Sequence, residues 1–321
     1  METPGLYENI YKELFSDISD EDEFANAKPL LAHYTSLSTL ENILKNNEIW
    51  LSNPLFMNDL EEVRFGINNG LSAVFESSSL KDALSSEERQ NIFNHAFSHY
   101  YKVFDDDGVM DTYILSLSLH KQGDNDGVLS MWRAYASNGN GAAIVFDTSK
   151  LQKDDGSPIL IAPVKYASRQ ERLNWLDQLC NRTAAYLKSI TVSDDQLYLA
   201  AYAIFERIKL FALFTKHDGF KEENEWRVAY VPERDTDKKF TPMLHYFNGP
   251  RGVEPKLKLR FGQPEGSPLA FNLNDIISNI ILGPSTSSVL AGKSVERMLR
   301  AIGQQVLIPR LVASTIPLRP I

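Results

Sequence analysis

The chain has 321 residues, is 43% hydrophobic, and carries a formal net charge of -9 at pH 7 with one cysteine. That length and apolar content allow one large core or two smaller ones. The acidic balance excludes nonspecific attachment to nucleic acid or an anionic membrane through bulk charge, leaving room for a local basic groove only. A single cysteine, Cys180, excludes an intrachain disulfide and a thiolate metal cluster.

In chain order, Leu6, Ile10 and Leu14 share one face of a short amphipathic helix, and an acidic stretch from Asp17 to Glu23 reads as a solvated linker. The start Met-Glu-Thr-Pro-Gly has neither the basic opening nor the apolar core of a signal peptide. Leu31-Ala32-His33-Tyr34-Thr35-Ser36 then brings an apolar strand to a histidine and an aromatic, and Leu40, Ile43 and Leu44 continue as a helix. Ile49-Trp50-Leu51 is a second short strand before the polar turn Asn53 to Asp59. Asp59 is placed as the N-cap of the next helix, with Glu61 and Glu62 in its first turn.

A long helix carries Ile92, Phe93, Ala96, Phe97, Tyr100 and Phe104. His95 and His99 lie four residues apart on it, a spacing able to bind a metal but without a third ligand nearby, so a surface or core-edge position is favoured. Thr112 to Ser118 alternates apolar with small polar residues, as a half-buried strand does. A Gly- and Asp-rich loop leads to Met131-Trp132-Arg133-Ala134-Tyr135, and Ala142 to Asp147 reads as a strand buried on both faces.

Ile159 to Tyr166 reads as one strand, followed by helices over Arg169 to Lys188 and Asp194 to Phe214. Cys180 falls in the first, where a buried inert thiol is expected. The second is apolar nearly all round and so central; Glu206, Arg207 and Lys209 disqualify it as a membrane span. A strand opens at Glu225, with Glu225 and Arg227 on one face and Trp226 and Val228 on the other. Strands at Leu257 to Arg260 and Ile277 to Leu282, a helix from Val289 to Ala301 and a last strand near Val306-Leu307 complete the chain.

Strands and helices alternate irregularly, so the class is α+β. Residues 1–26 are expected as a helix and acidic linker, and residues 27–321 as a single domain in the cytoplasm. The Gly-x-x-x-x-Gly-Lys, Gly-x-Gly-x-x-Gly, Gly-x-Ser-x-Gly and His-Glu-x-x-His patterns are all absent.

A dispersed set of chemical groups remains. His33 can hydrogen-bond a ribose at either ring nitrogen or simply hold its turn. Trp132 and Tyr135 can stack on a planar base and Arg133 can pair with a phosphate, or the two aromatics can pack into core. Glu225 beside Arg227 can stabilise developing positive charge, or make an ordinary edge salt bridge.

His33-Tyr34-Thr35-Ser36, Ile49-Trp50-Leu51-Ser52, Leu115 to Ser118, Met131 to Tyr135 with Gly141, Glu223 to Arg227, Ile281-Leu282-Gly283-Pro284 and Ile316-Pro317-Leu318-Arg319 resemble the bacterial DUF2971 family, a set of uncharacterised cytoplasmic proteins. More distantly, His-Tyr-Thr on a first strand followed by a helix and a short strand is similar to the entry of the ADP-ribosyltransferase fold, including its DNA-modifying toxins. That resemblance implies a split, mainly antiparallel sheet forming a cleft, with inserted helices.

It also implies NAD as substrate without a metal, and an NAD-dependent ADP-ribosyltransferase or NAD glycohydrolase acting on a protein or nucleic acid, as a toxin or defence factor. Glu225 would be the catalytic carboxylate, with Glu223 or Glu222 as substitutes. His33, Tyr34, Thr35, Trp132, Arg133, Tyr135 and Arg227 would line the nucleotide site, with Tyr135, Tyr113 or Tyr34 stacking on nicotinamide. Two other classes stay open. One is a Mg²⁺-dependent phosphodiesterase or nuclease using Asp59, Glu61 and Glu225; the other is a non-catalytic nucleotide sensor.

Overall fold

A computed structural model describes residues 5–16, 27–57, 60–151, 157–249, 252–262 and 271–318. The expected acidic linker, the Asp59 cap and Arg319 lie outside the described residues. The chain divides into two compact units, the first drawn from residues 1–21, 53–112 and 164–220 and the second from residues 22–52, 113–163 and 221–321.

The first unit is helical: α1 (Leu6–Leu14), α3 (Leu60–Glu76), α4 (Ser78–Leu84), α5 (Glu87–Val103), α7 (Arg169–Ser189) and α8 (Leu197–Phe214), with a two-stranded parallel pair, β6 (Lys165–Ala167) and β7 (Thr215–His217). The all-round apolar pattern of α8 places it at the centre, against α1, α3 and α5. Gly66 and Gly70, one turn apart on α3, let α8 approach closely. A Cβ at Gly66 would collide with that of Ala212, and one at Gly70 with the Ile208 side chain. His95 and His99 are exposed on α5, as their pattern suggested.

The second unit holds a ten-stranded sheet: β1 (Leu30–Ser36), β2 (Glu48–Ser52), β3 (Tyr113–His120), β4 (Gly141–Asp147), β5 (Ile159–Pro163), β8 (Glu225–Tyr230), β9 (Leu244–Gly249), β10 (Gly252–Arg260), β11 (Ile277–Leu282) and β12 (Leu311–Ala313). Its helices are α2 (Leu37–Asn46), α6 (Leu129–Tyr135), α9 (Leu273–Ile276) and α10 (Val289–Ala301). The strands run in the order β12-β11-β4-β1-β3-β2-β10-β9, with β8 on β3 and β5 on β8, all antiparallel except β11 with β12.

The registers show where the sheet divides. β8 takes one edge of β3 along Tyr113 to Ser118. β1 meets β3 only at Leu30 to Ala32 opposite His120 to Ser118, and β2 meets it only at Ser52 opposite Ile114. Ser118 and Ile114 are both also paired with β8, so β1 and β2 share the other edge of β3 and part from it between residues 115 and 117. The helix α2 joins these two arms. Ser36 caps it by accepting from the Thr39 N–H at 3.1 Å, and Asn47 ends it in a left-handed conformation.

Each sheet face has its own core, as period-two alternation requires. One face gathers Leu31, Leu117, Ile144, Phe146, Trp226 and Val228 with Leu40 and Leu44 of α2 and Leu299 of α10. Burial of each of those leucines contributes roughly 1.5–3 kcal/mol. The other face gathers Ala32, Tyr34, Ala143, Val145 and Ile281 around Trp132 of α6. Both faces of β4 are therefore buried, as expected.

Three expectations need correction. Residues Val306 and Leu307 lie in a 3-10 turn running from Gln305 to Arg310 that contains Pro309, and the last strand is β12, just beyond it. The stretch from Ile159 to Tyr166 is two strands, because β5 pairs with β8 while β6 pairs with β7 in the other unit. Finally, Leu257 to Arg260 is only the end of a longer hairpin, β9–β10, whose tip carries exposed side chains and so lacks an apolar alternation.

Candidate functional site

The site is organised by β3. Its residues Ser116 and Ser118 stand opposite Arg227 and Glu225 of β8, and cross-strand partners share a face. Glu225 is 3% exposed and Arg227 fully enclosed. Arg227 donates from Nε and Nη2 to Glu225 Oε1 at 2.9 and 2.8 Å. The same oxygen accepts the Ser116 hydroxyl at 2.5 Å. The edge salt bridge weighed from sequence is thus a buried, hydrogen-bonded pair, a far more consequential arrangement than an exposed one.

His33 stands where β1 leaves β3. The Ser116 backbone carbonyl lies beside its ring and favours the protonated form. Burial outweighs that contact and brings the imidazole down to about 4, which leaves it neutral at pH 7. Alternation from Ala32 and Tyr34 directs His33 to the face opposite Glu225, and the two side chains meet through Ser116. His33 takes its backbone, and Glu225 its hydroxyl.

Tyr135, at the end of α6, is 44% exposed and donates its hydroxyl to Glu223 Oε1 at 2.8 Å. The backbone carbonyl of Glu223 in turn accepts the Ser118 hydroxyl at 2.7 Å. Glu223 and Glu225 are thus both anchored to serines on the same strand. Glu222 is exposed.

Several other residues of the expected nucleotide site have structural work. Trp132 is fully buried, donates its indole N–H to the Asp126 carbonyl at 2.8 Å and meets Tyr34 edge-on at 4.8 Å. The Tyr34 hydroxyl accepts the Val128 N–H at 2.9 Å; burial pushes this phenol up to about 12. Together they hold the loop at Asp126 to Val128, which Ser314 and Thr315 secure from the other side through Asp126. Thr35 is buried on β1, Arg133 is exposed, and Tyr113 lies in the core against Tyr230. Of the residues proposed for Mg²⁺, Glu61 pairs with Arg64 in the helical unit while Glu225 belongs to the sheet unit.

Ser116 is the member that sequence reasoning missed. Its only signal was the alternation Leu115-Ser116-Leu117-Ser118, which marks a polar face without saying what the serines touch.

The arrangement presents a fixed carboxylate, a neutral imidazole and an exposed phenol around one strand. Residues 131–228 match the family described as "Protein of unknown function (DUF2971)", in agreement with the resemblance carried by Met131 to Tyr135, Gly141 and Glu223 to Arg227. No curated protein and no solved structure matches the chain.

Proposed function

We propose that this DUF2971 protein is an NAD-dependent ADP-ribosyltransferase or NAD glycohydrolase, with an ADP-ribosyltransferase-like split sheet and a protein or nucleic-acid acceptor. One observation carries the reading. Ser116 donates its hydroxyl to Glu225 and has its backbone beside the His33 ring where β1 and β3 part, so two of the three residues assigned from the fold resemblance border a single residue.

In this reaction the bond between nicotinamide and C1′ of the ribose breaks, and the electron pair leaves with nicotinamide. The ribose develops oxocarbenium character, which the Glu225 carboxylate stabilises, and water or an acceptor hydroxyl or amine attacks C1′ and loses its proton. Arg227 and Ser116 fix the carboxylate before the reaction, and a charge held ready in this way stabilises the transition state without reorganising as the bond breaks. Neutral His33 turns its N–H toward the Ser116 carbonyl, which leaves the other ring nitrogen as an acceptor for a ribose hydroxyl.

The test is nicotinamide release from NAD by purified protein, followed by chromatography with and without cell-extract acceptors. Wild type is expected to turn over and Glu225→Gln to fall by roughly 10²–10³-fold with an unchanged circular dichroism spectrum. Unaltered turnover in that variant removes Glu225 from the chemistry. NAD affinity without any turnover makes the chain a nucleotide-binding module.

A further inference from the structure

The arm of the sheet formed by β2, β10 and β9 presents a face that NAD chemistry does not use. Opposite the core residues Ile49, Leu51, Leu257 and Leu259, alternation lines up Glu48, Trp50 and Ser52 on β2, Glu254, Lys256, Lys258 and Arg260 on β10, and His245 and Phe247 on β9. Lys256, Lys258 and Arg260 fall on every second residue, so they follow one another at about 7 Å along one strand. Trp50 and Phe247 meet edge-on at 5.8 Å beside them, and the Lys258 ammonium lies 4.1 Å from the centre of the Trp50 ring.

Two carboxylates share the face: Glu48 accepts from Arg260 at 3.2 Å and from the Trp50 indole at 2.8 Å, and Glu254 pairs with Lys256 at 3.0 Å. Lys258 has no carboxylate partner among the described residues, and its contact is the tryptophan ring. The face carries three cations against two carboxylates in a chain of net charge -9. His245 titrates below its ordinary range, first through burial and then through Lys258 and Arg260, with Glu48 acting against them. At the hairpin tip Phe247 is 39% exposed on this side, and Tyr246 and Val253 are 73% and 59% exposed on the other.

We infer that this face of β2, β10 and β9 binds single-stranded nucleic acid, with Trp50 and Phe247 as stacking surfaces for unpaired bases and Lys258 and Arg260 as phosphate contacts. Aromatic rings on a sheet face interleaved with cations suit this polymer in particular, because every base has a π-face and the backbone follows a row of positive charge. A duplex hides the base faces and meets the cations alone. The inference stands on this face and does not depend on Glu225.

Anisotropy of a fluorescein-labelled 12-nucleotide oligo(dT), titrated with the full chain at 50 and 200 mM salt, tests it beside a duplex of the same length. The expected result is preference for the single strand and weaker binding at the higher salt. Lys258→Ala is expected to reduce affinity about tenfold and to lower the log–log salt slope by about 0.7. Phe247→Ala, which changes a half-exposed ring at the hairpin, is expected to cost at least about fivefold. Glu225→Gln is expected to bind as wild type does, which keeps this result separate from the NAD assay.

Absence of binding at 50 mM salt overturns the inference. So does an affinity for duplex equal to that for the single strand, or wild-type binding by both folded variants. Self-association that Phe247→Ala abolishes, with no oligonucleotide binding, overturns it in favour of a contact between copies of the chain.

Discussion

Replacing Arg227 by Met tests how the candidate carboxylate is held. The guanidinium is fully enclosed and supplies two hydrogen bonds to Glu225 Oε1, at 2.9 and 2.8 Å, while Glu225 itself is 3% exposed. Methionine keeps most of the stem volume, so the main loss is charge and hydrogen bonds rather than packing. The Ser116 hydroxyl stays on Oε1, but a neutral donor does not replace a cation against a buried carboxylate.

Breaking one side of a buried pair costs about 3–5 kcal/mol, a large share of the 5–15 kcal/mol typical of a folded domain. Urea unfolding followed by circular dichroism should show that loss in the transition that includes the sheet unit. The double variant Arg227→Met/Glu225→Gln should recover part of it, because the carboxylate charge that Arg227 offset is gone, giving a coupling of about 2 kcal/mol. A loss below about 1 kcal/mol for Arg227→Met, or strict additivity in the double variant, refutes the account of Glu225 as a carboxylate fixed by Arg227.

Two further predictions concern pH and thiol chemistry. His33 is lowered to about 4 in the folded chain against 6.5 when unfolded, so below pH 6.5 the unfolded state binds the additional proton. Stability should therefore fall as pH drops from 6.5 to 4 and level off below, by at most about 3 kcal/mol from this residue. His33→Gln, compared with wild type by unfolding at pH 7 and pH 4.5, should lose that component; an unchanged pH dependence refutes burial of a neutral ring. Cys180 is buried, with its thiol pushed up to about 12 chiefly by that burial, so Ellman's reagent should leave it unmodified in the native protein and titrate one thiol in urea. Prompt native-state reaction contradicts the packing of α7.

What was legible in the sequence follows the range of the interactions. The facing of Glu225 and Arg227 away from Trp226 and Val228 was legible because it depends only on the two-residue strand period. The central position of α8 was legible because its pattern has no polar side. Trp132 was open to two readings, and burial decided for packing, since its indole N–H is used by the Asp126 carbonyl. Ser116 was illegible because its role arises only when residues 33, 116 and 225 meet across three strands. The β9–β10 hairpin was missed for the opposite reason: its tip has no core face, so exposed aromatics there break the alternation that marks a strand.

The distribution of hydrogen bonds also narrows the choice of stacking aromatic. Tyr34 and Tyr113 are buried, Tyr34 holding the Val128 N–H and Tyr113 packed against Tyr230, whereas Tyr135 is exposed and aligned by Glu223. If the Tyr135 ring stacks on nicotinamide, its π-face matters more than its hydroxyl. Tyr135→Phe should then keep kcat and KM for NAD within about threefold, while Tyr135→Ala should raise KM by about tenfold, the ring's stacking energy being worth about 1–1.5 kcal/mol. If instead the hydroxyl positions Glu223 as the working carboxylate, Tyr135→Phe and Glu223→Gln should lower kcat together with KM unchanged. Initial rates of nicotinamide release over a range of NAD concentrations separate the two patterns. Wild-type kinetics in Tyr135→Ala remove this residue from the site.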